Sequence, residues 1–252
     1  MSGKKIITLN PFPTDFGKTL DELEASMFDS TIPAQHTHMF FENDDLGLYI
    51  GLWDTMDMVE KAGPYGCDEF MWLLDGQCEI KASSSAKNDL VKKGEAFVIP
   101  KGYDCQWIQK GYLRKYFVIS EKPDEIIPES PTYDGIIKPG SLNDDNSFND
   151  IGVDEFILIN DEQSEQQSVV CYSNVHNTFK VVNWQSTAFK STLSRVTMNL
   201  FVYVCEGSLE VIDEQGNNHF FTKNEAFFIP EGTACRWSSD ETVKIIYTAV
   251  KY

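Results

Sequence analysis

The sequence predicts an all-β protein built from two copies of one unit. Two observations carry this: an internal repeat, and a run of short β-branched or aromatic stretches bounded by turn residues. The repeat sets Trp53–Ile119 against Trp184–Val250. DEFMWLLDGQCEI, KKGEAFVIPKGYDCQWI and LRKYFVI in the first copy answer to MNLFVYVCEGSLEVI, TKNEAFFIPEGTACRWS and VKIIYTAV in the second. Trp53 matches Trp184 and Gly76 matches Gly207 at an offset of 131. Pro100, Gly102, Cys105 and Trp107 match Pro230, Gly232, Cys235 and Trp237 at 130. One residue deleted in a loop between the motifs reconciles the two offsets. Self-similarity at a fixed spacing identifies the repeated structural unit before any element is assigned.

Within each unit the elements read as strands. FMWLL, CEIKA, AFVIP, QWI and KYFVI are rich in the side chains that suit a pleated, half-buried surface. Asp75-Gly76 predicts a hairpin turn, with both central residues at positive φ. Gly94 is replaced by Asn224 in the second copy. Asn is the side chain that best tolerates the left-handed region, so both copies are expected to turn alike there. Many short strands with regular turns imply an all-β barrel or sandwich. The domains predicted are 1–125, a first barrel with an N-terminal extension, and 126–252, a second barrel. Residues 121–150 hold four of the ten prolines and many acids, as a crossing between units would. One helical signal stands apart: Thr19–Phe28 has Leu20 and Leu23 three apart with acids in an early turn, which predicts a short packing helix.

Composition narrows the function. The chain has 252 residues, 42% of them hydrophobic and 13% aromatic, enough to bury a core. Its net charge is −18. A field of that sign repels phosphate backbones and anionic lipid surfaces, so no nucleic-acid or membrane partner is expected. No window approaches the roughly 18 consecutive apolar residues of a membrane helix. The apolar run Ile6–Leu9 is too short for a signal-peptide core. A cytoplasmic protein is expected. Cysteines 67, 78, 105, 171, 205 and 235 form no C-x-x-C pair and read as reduced thiols.

The pattern Gly94-x5-Pro100-x-Gly102-x2-Cys105 resembles the second cupin motif, in which a glycine, a P-x-G turn and a metal-binding histidine follow in that order. Glu69-x6-Gly76 resembles the end of the first motif. Because the repeat carries the likeness twice, the chain resembles a bicupin of two double-stranded β-helix (jelly-roll) barrels. The D-E-F-x-W-L-L-x-G wording looks most like the subfamily that includes (S)-ureidoglycine aminohydrolase and ethanolamine-utilisation cupins. The likeness spans about two-thirds of the chain and speaks to fold, since one fold hosts many activities.

The resemblance implies a divalent metal held by two or three His and one Glu. The His-x-His positions fall among Ala62, Gly63, Pro64 and Tyr65, and Cys105 replaces the motif-two histidine. Glu69 is the one family ligand kept. In the second unit the positions fall among Leu193, Ser194, Arg195 and Val196, with Leu200 for the Glu and Cys235 for the His. Two ligands are too few for a tight site, so no metal or other cofactor is expected. His36-Thr37-His38 has metal-like spacing on a strand but lacks a carboxylate to complete it. An exposed or barrel-edge pair is expected. His176 and His219 sit in loop-like contexts.

Family parity turns 69, 71 and 73, and 105, 107 and 109, into the barrel. The first cavity is then expected to bind a ligand through Glu69, Met71, Cys105, Trp107 and Gln109. Its counterpart holds Leu200, Val202, Cys235, Trp237 and Ser239, with Arg195 as a rival anion site. Left without a cation, Glu69 would have a raised pKa and is the candidate catalytic acid or base. Otherwise it is satisfied by Arg114 or Lys115, or exposed at the rim. Cys105 reads as a buried small hydrophobe; Trp107 either stacks on a ligand or belongs to the core. The leading functional reading is a small-molecule-binding bicupin without the usual metal, its pocket in the first barrel. Two alternatives stand beside it. One is a metal-dependent hydrolase of a small nitrogenous compound; the other is a structural or regulatory bicupin without pocket chemistry. Expected partners are a small-molecule ligand and a second copy in a homodimer.

Overall fold

A computed structural model describes residues 4–121, 135–140 and 164–251. Two compact units emerge: Pro11–Lys138, and Met1–Asn10 with Pro139–Tyr252. Strand β1 (Ile7–Leu9) pairs antiparallel with a strand of the second unit and so belongs to it. The sequence reading placed this segment with the first. Most of 121–150, read as the crossing between units, lies outside the described residues.

The first unit comprises β2 (Gln35–Asn43), β3 (Leu48–Thr55), β4 (Met58–Val59), β5 (Gly63–Pro64), β6 (Asp68–Asp75), β7 (Gln77–Ala82), β8 (Asn88–Lys92), β9 (Ala96–Ile99), β10 (Asp104–Gln109) and β11 (Leu113–Ser120). One sheet runs β2-β3-β11-β6-β9 and the other β4-β10-β7-β8, with β5 also on β10. Trp53, Met71, Leu73, Phe97 and Phe117 of the first sheet share one core with Cys78, Ile80, Val91, Cys105 and Trp107 of the second. The side chains between the sheets are thus the odd positions of β6, β10 and β11, as period-two alternation requires.

The second unit repeats this with β12 (Gln166–Ser173), β13 (Phe179–Ser186), β14 (Phe189–Lys190), β15 (Ser194–Arg195), β16 (Asn199–Glu206), β17 (Ser208–Asp213), β18 (Asn218–Thr222), β19 (Ala226–Ile229), β20 (Ala234–Ser239) and β21 (Val243–Val250). Its sheets run β1-β19-β16-β21-β13-β12 and β14-β20-β17-β18. The fold is all-β and jelly-roll in both units. The deleted residue falls in the loop after β7, five residues long at 83–87 against four at 214–217. Backbone bonds match pair by pair. Lys101 N donates to Asp68 Oδ1 at 3.0 Å and Glu231 N to Asn199 Oδ1 at 3.1 Å. Each bond ties the start of a P-x-G turn to the strand beneath it. Gly94 and Asn224 both take positive φ, 82° and 72°, as expected from the substitution.

Two expectations are corrected. Asp75-Gly76 does not close a hairpin. Gly76 alone has positive φ, and β6 and β7 lie in different sheets. The glycine bends the chain from one sheet to the other, where a Cβ would stand 2.2 Å from the Tyr112 carbonyl oxygen. An Asp-Gly pair signals the left-handed residue but not whether the flanking strands pair. The helix over Thr19–Phe28 is reduced to one 3-10 turn, Ala25–Met27. Leu20 and Met27 are exposed. Helical nucleation is unfavourable, and without a packed apolar face nothing offsets it. All six cysteines are free. Among the described residues no helix is long and apolar enough to cross a membrane.

Candidate functional site

A buried ion pair lies inside the first barrel. Lys115 from β11 and Glu69 from β6 both point inward, and Lys115 Nζ donates to Glu69 Oε1 at 2.7 Å. Both side chains are almost fully buried. The second carboxylate oxygen accepts a short hydrogen bond from the Tyr65 hydroxyl. The ammonium also lies 4.8 Å from the Trp53 ring centroid, 4.9 Å from that of Trp107 and 3.0 Å from Met71 Sδ. A desolvated cation over an indole face gains up to about 2 kcal/mol. The alternatives for Glu69 are thereby resolved: Lys115 satisfies it. Arg114 faces elsewhere, bonding Asp54 at 3.3 Å and the Pro11 carbonyl at 3.1 Å. Glu69 is therefore not the unpaired acid that the catalytic expectation required.

The group perturbed toward neutral pH is Glu60. Burial pushes its carboxyl from 4.5 up to about 7; Lys115 opposes the shift and Glu69 adds to it. Its backbone is pinned to β10, where Glu60 N donates to the Trp107 carbonyl at 3.0 Å. The Tyr65 hydroxyl is pushed well above its usual value by burial and then by Glu69. It stays protonated and donates. Cys105 is raised to about 12 by burial first and by Glu60 and Asp104 after it, so it is a thiol rather than a nucleophilic thiolate.

Of the residues expected to line the cavity, Glu69, Met71, Cys105 and Trp107 are buried on the inward face. Met71 and Trp107 touch Lys115 directly. Gln109 is buried too, but its amide is committed. It accepts from Trp107 Nε1 at 3.2 Å and donates to the carbonyls of Gly111 and Met56 at 2.9 and 3.2 Å. These bonds tie β10 to the turns at Met56 and Gly111. Sequence reasoning missed Glu60 and Tyr65, and treated Lys115 only as a neighbour.

The residues present do not fit a divalent metal. Glu69 has both oxygens occupied, one by an ammonium that would repel a cation. Cys105 would be the second donor, where a tight site needs three or four. The two histidines of His36-Thr37-His38 lie on the edge strand β2, where His36 Nδ1 is 2.8 Å from Asp54 Oδ1. Among the described residues no three His, Cys, Asp or Glu side chains gather as a metal site would need.

The second barrel keeps the scaffold and loses the charges. Val196 makes the same two backbone bonds as Tyr65, to the carbonyl of Thr233 at 2.9 Å and from Gly232 N at 2.7 Å. Ser191 N donates to the Trp237 carbonyl as Glu60 N does to that of Trp107. Leu200 and Ile245 replace Glu69 and Lys115, within one apolar cluster with Trp184 and Trp237. Arg195 does not enter this core; it is exposed and reaches Glu214 at 3.4 Å.

Residues 175–247 match the family model for the EutQ-like cupin domain. Among solved structures, a protein of unknown function in the DUF861 family from Pseudomonas syringae pv. tomato superposes with a TM-score of 0.69 at 17% identity, covering 98% of this chain and 100% of that one. A cupin 2 conserved barrel domain protein from Leptotrichia buccalis gives 0.60 at 11% identity, over 100% and 98%. Salicylate 1,2-dioxygenase from Pseudoaminobacter salicylatoxidans gives 0.56 at 8%, over 82% and 72%. Among curated proteins none matches in sequence. The chain has the cupin fold.

Proposed function

We propose that the chain is a bicupin that binds a small molecule inside its first barrel without a resident metal, at the set formed by Glu60, Tyr65, Glu69 and Lys115. One observation carries the reading. Glu60, Tyr65, Glu69 and Lys115 are matched in the second barrel by Ser191, Val196, Leu200 and Ile245 on equivalent backbone. Burying two charges costs several kcal/mol per ion before their attraction is counted. The second barrel forms without them, so the scaffold does not require them. Their presence in a single copy fits a binding role, since ligand sites are mostly apolar with a few placed polar groups. Tyr65 and Glu60 are the members of the set that reach the surface.

The metal-dependent hydrolase reading of the ureidoglycine aminohydrolase likeness lacks a donor set to hold its Lewis acid. Native mass spectrometry and elemental analysis of freshly purified protein test the proposal. The expectation is a small-molecule adduct, retained from the cell or added from a metabolite panel, that is lost when Glu60, Tyr65, Glu69 and Lys115 are replaced together by their second-barrel counterparts, with no stoichiometric transition metal. A stoichiometric metal bound through Glu69 would overturn it.

A further inference from the structure

Three members of the first-barrel set satisfy one another, and the fourth is left over. Lys115 neutralises Glu69, and Tyr65 donates to it. Among the described residues the carboxyl of Glu60 has no hydrogen-bond or ion-pair partner; the bonds at this residue are those of its backbone. The titratable groups within electrostatic reach of it are Lys115 on β11, Glu69 on β6, Tyr65 after β5, Cys78 on β7 and Cys105 on β10. One of these is a cation, and it is spent on Glu69. With Glu60 ionised, the set holds two carboxylates and one ammonium. Glu60 is partly buried, and a carboxylate withdrawn from water without its own counter-charge is costly, so a ligand that supplies the charge is bound in return.

Building on the reading of this barrel as a binding site, we infer that its ligand is a small organic cation with N–H donors, such as a primary ammonium compound, and that Glu60 is its anionic anchor. A carboxylate ligand would meet a site already one negative charge in excess. It would also have to approach a chain of net charge −18, whose field draws cations and repels anions. The half-buried ring of Tyr65 suits a cation with an apolar body.

Only the ionised carboxylate anchors the ligand, so binding competes with a proton. Burial holds Glu60 near 7. Affinity is therefore expected to be full above that pH and to fall by up to about tenfold per pH unit below it.

The test uses n-propylammonium, propionate and propionamide, close in size and different in charge. Each is titrated calorimetrically into the full chain at pH 8.5 and pH 5.5. The expectation is that propylammonium binds best. Its affinity drops at least about tenfold at pH 5.5, and Glu60→Gln loses at least about tenfold at pH 8.5 together with the pH dependence. Glu60→Gln removes a partly buried charge that has no partner, so its urea midpoint should not fall, and lost binding is not lost folding. Preference for propionate or propionamide, abolished by Lys115→Met, would leave the barrel a binding site and overturn the cation assignment. Propylammonium binding equal in wild type and Glu60→Gln would overturn the anchor. No binding of any of the three at millimolar concentration would overturn this inference, leaving the broader reading to the metabolite panel.

Discussion

The two barrels share a pair of matched tryptophans, a matched cysteine and the P-x-G turn, yet one encloses an ion pair and the other an apolar core. Lys115 pairs in register with Trp53 and Leu73; Ile245 pairs with Trp184 and Val204. The strands that carry the two linings are thus in the same register, and the charges on them differ. The elements common to both copies build the fold, and those found in one copy carry the chemistry.

Charge placement should give the largest effects. Ile245→Lys puts an ammonium into the second barrel with Leu200 where Glu69 would be, and should cost on the order of 4 kcal/mol. Lys115→Ile alone strands Glu69 and should cost about 3 to 5 kcal/mol. Adding Glu69→Leu should recover most of that, to within about 1 kcal/mol of wild type, because hydrophobic replacement of a buried pair is often neutral or stabilising. Urea midpoints for the three variants measure this. A double variant no more stable than Lys115→Ile would show that the barrels differ in more than their lining.

Scaffold positions should instead respond alike. Gly76 and Gly207 have φ of 78° and 76°, and a Cβ would meet a backbone carbonyl oxygen at 2.2 and 2.3 Å. Alanine at either should cost about 2 kcal/mol or more, by the strain of positive φ and the clash together. Unequal losses in thermal unfolding would mean that the bend between sheets is not equivalent in the two units.

Glu60 gives a smaller, pH-dependent difference. Its folded pKa of about 7 exceeds the ordinary 4.5, so between those values the folded state holds a proton that the unfolded state has released. Stability contributed by this group is therefore lost as pH rises from about 4.5 to about 7 and is flat above. Glu60→Gln should be more stable than wild type by about 1 to 2 kcal/mol at pH 8, the gap closing by pH 5. A gap independent of pH would show that Glu60 is not desolvated. Ser191→Gln, at the matched place, should show no such pH dependence. The smallest effect is expected at Asn224, where glycine removes the strain of φ 72° and should change stability by only a few tenths of a kcal/mol.

Much of the fold was legible because the repeat states it twice. The offsets located the loop deletion; period-two alternation put Glu69 and Met71, and Cys105 and Trp107, on one face of their strands, and the cupin resemblance turned that face inward. The charge network was harder to read. Parity in KYFVI places Lys115 inward beside Phe117, and the repeat sets it against Ile245, yet a lysine in a strand reads first as a surface residue. Glu60 and Tyr65 lie outside regular repeating strands, so no periodicity announces their direction. The one signal was their replacement by Ser191 and Val196. For Gln109 the burial was legible, but not the backbone carbonyls to which its amide donates.

The central claim is that the first-barrel lining, rather than the shared scaffold, binds the ligand. The most direct measurement gives the first barrel the lining of the second, as Glu60→Ser, Tyr65→Val, Glu69→Leu and Lys115→Ile together. Calorimetry then compares this variant with wild type for the small molecule that wild type binds best. The account predicts a folded variant of near wild-type stability whose affinity has fallen at least about a hundredfold. Undiminished binding by the folded variant would place the ligand elsewhere and contradict the account.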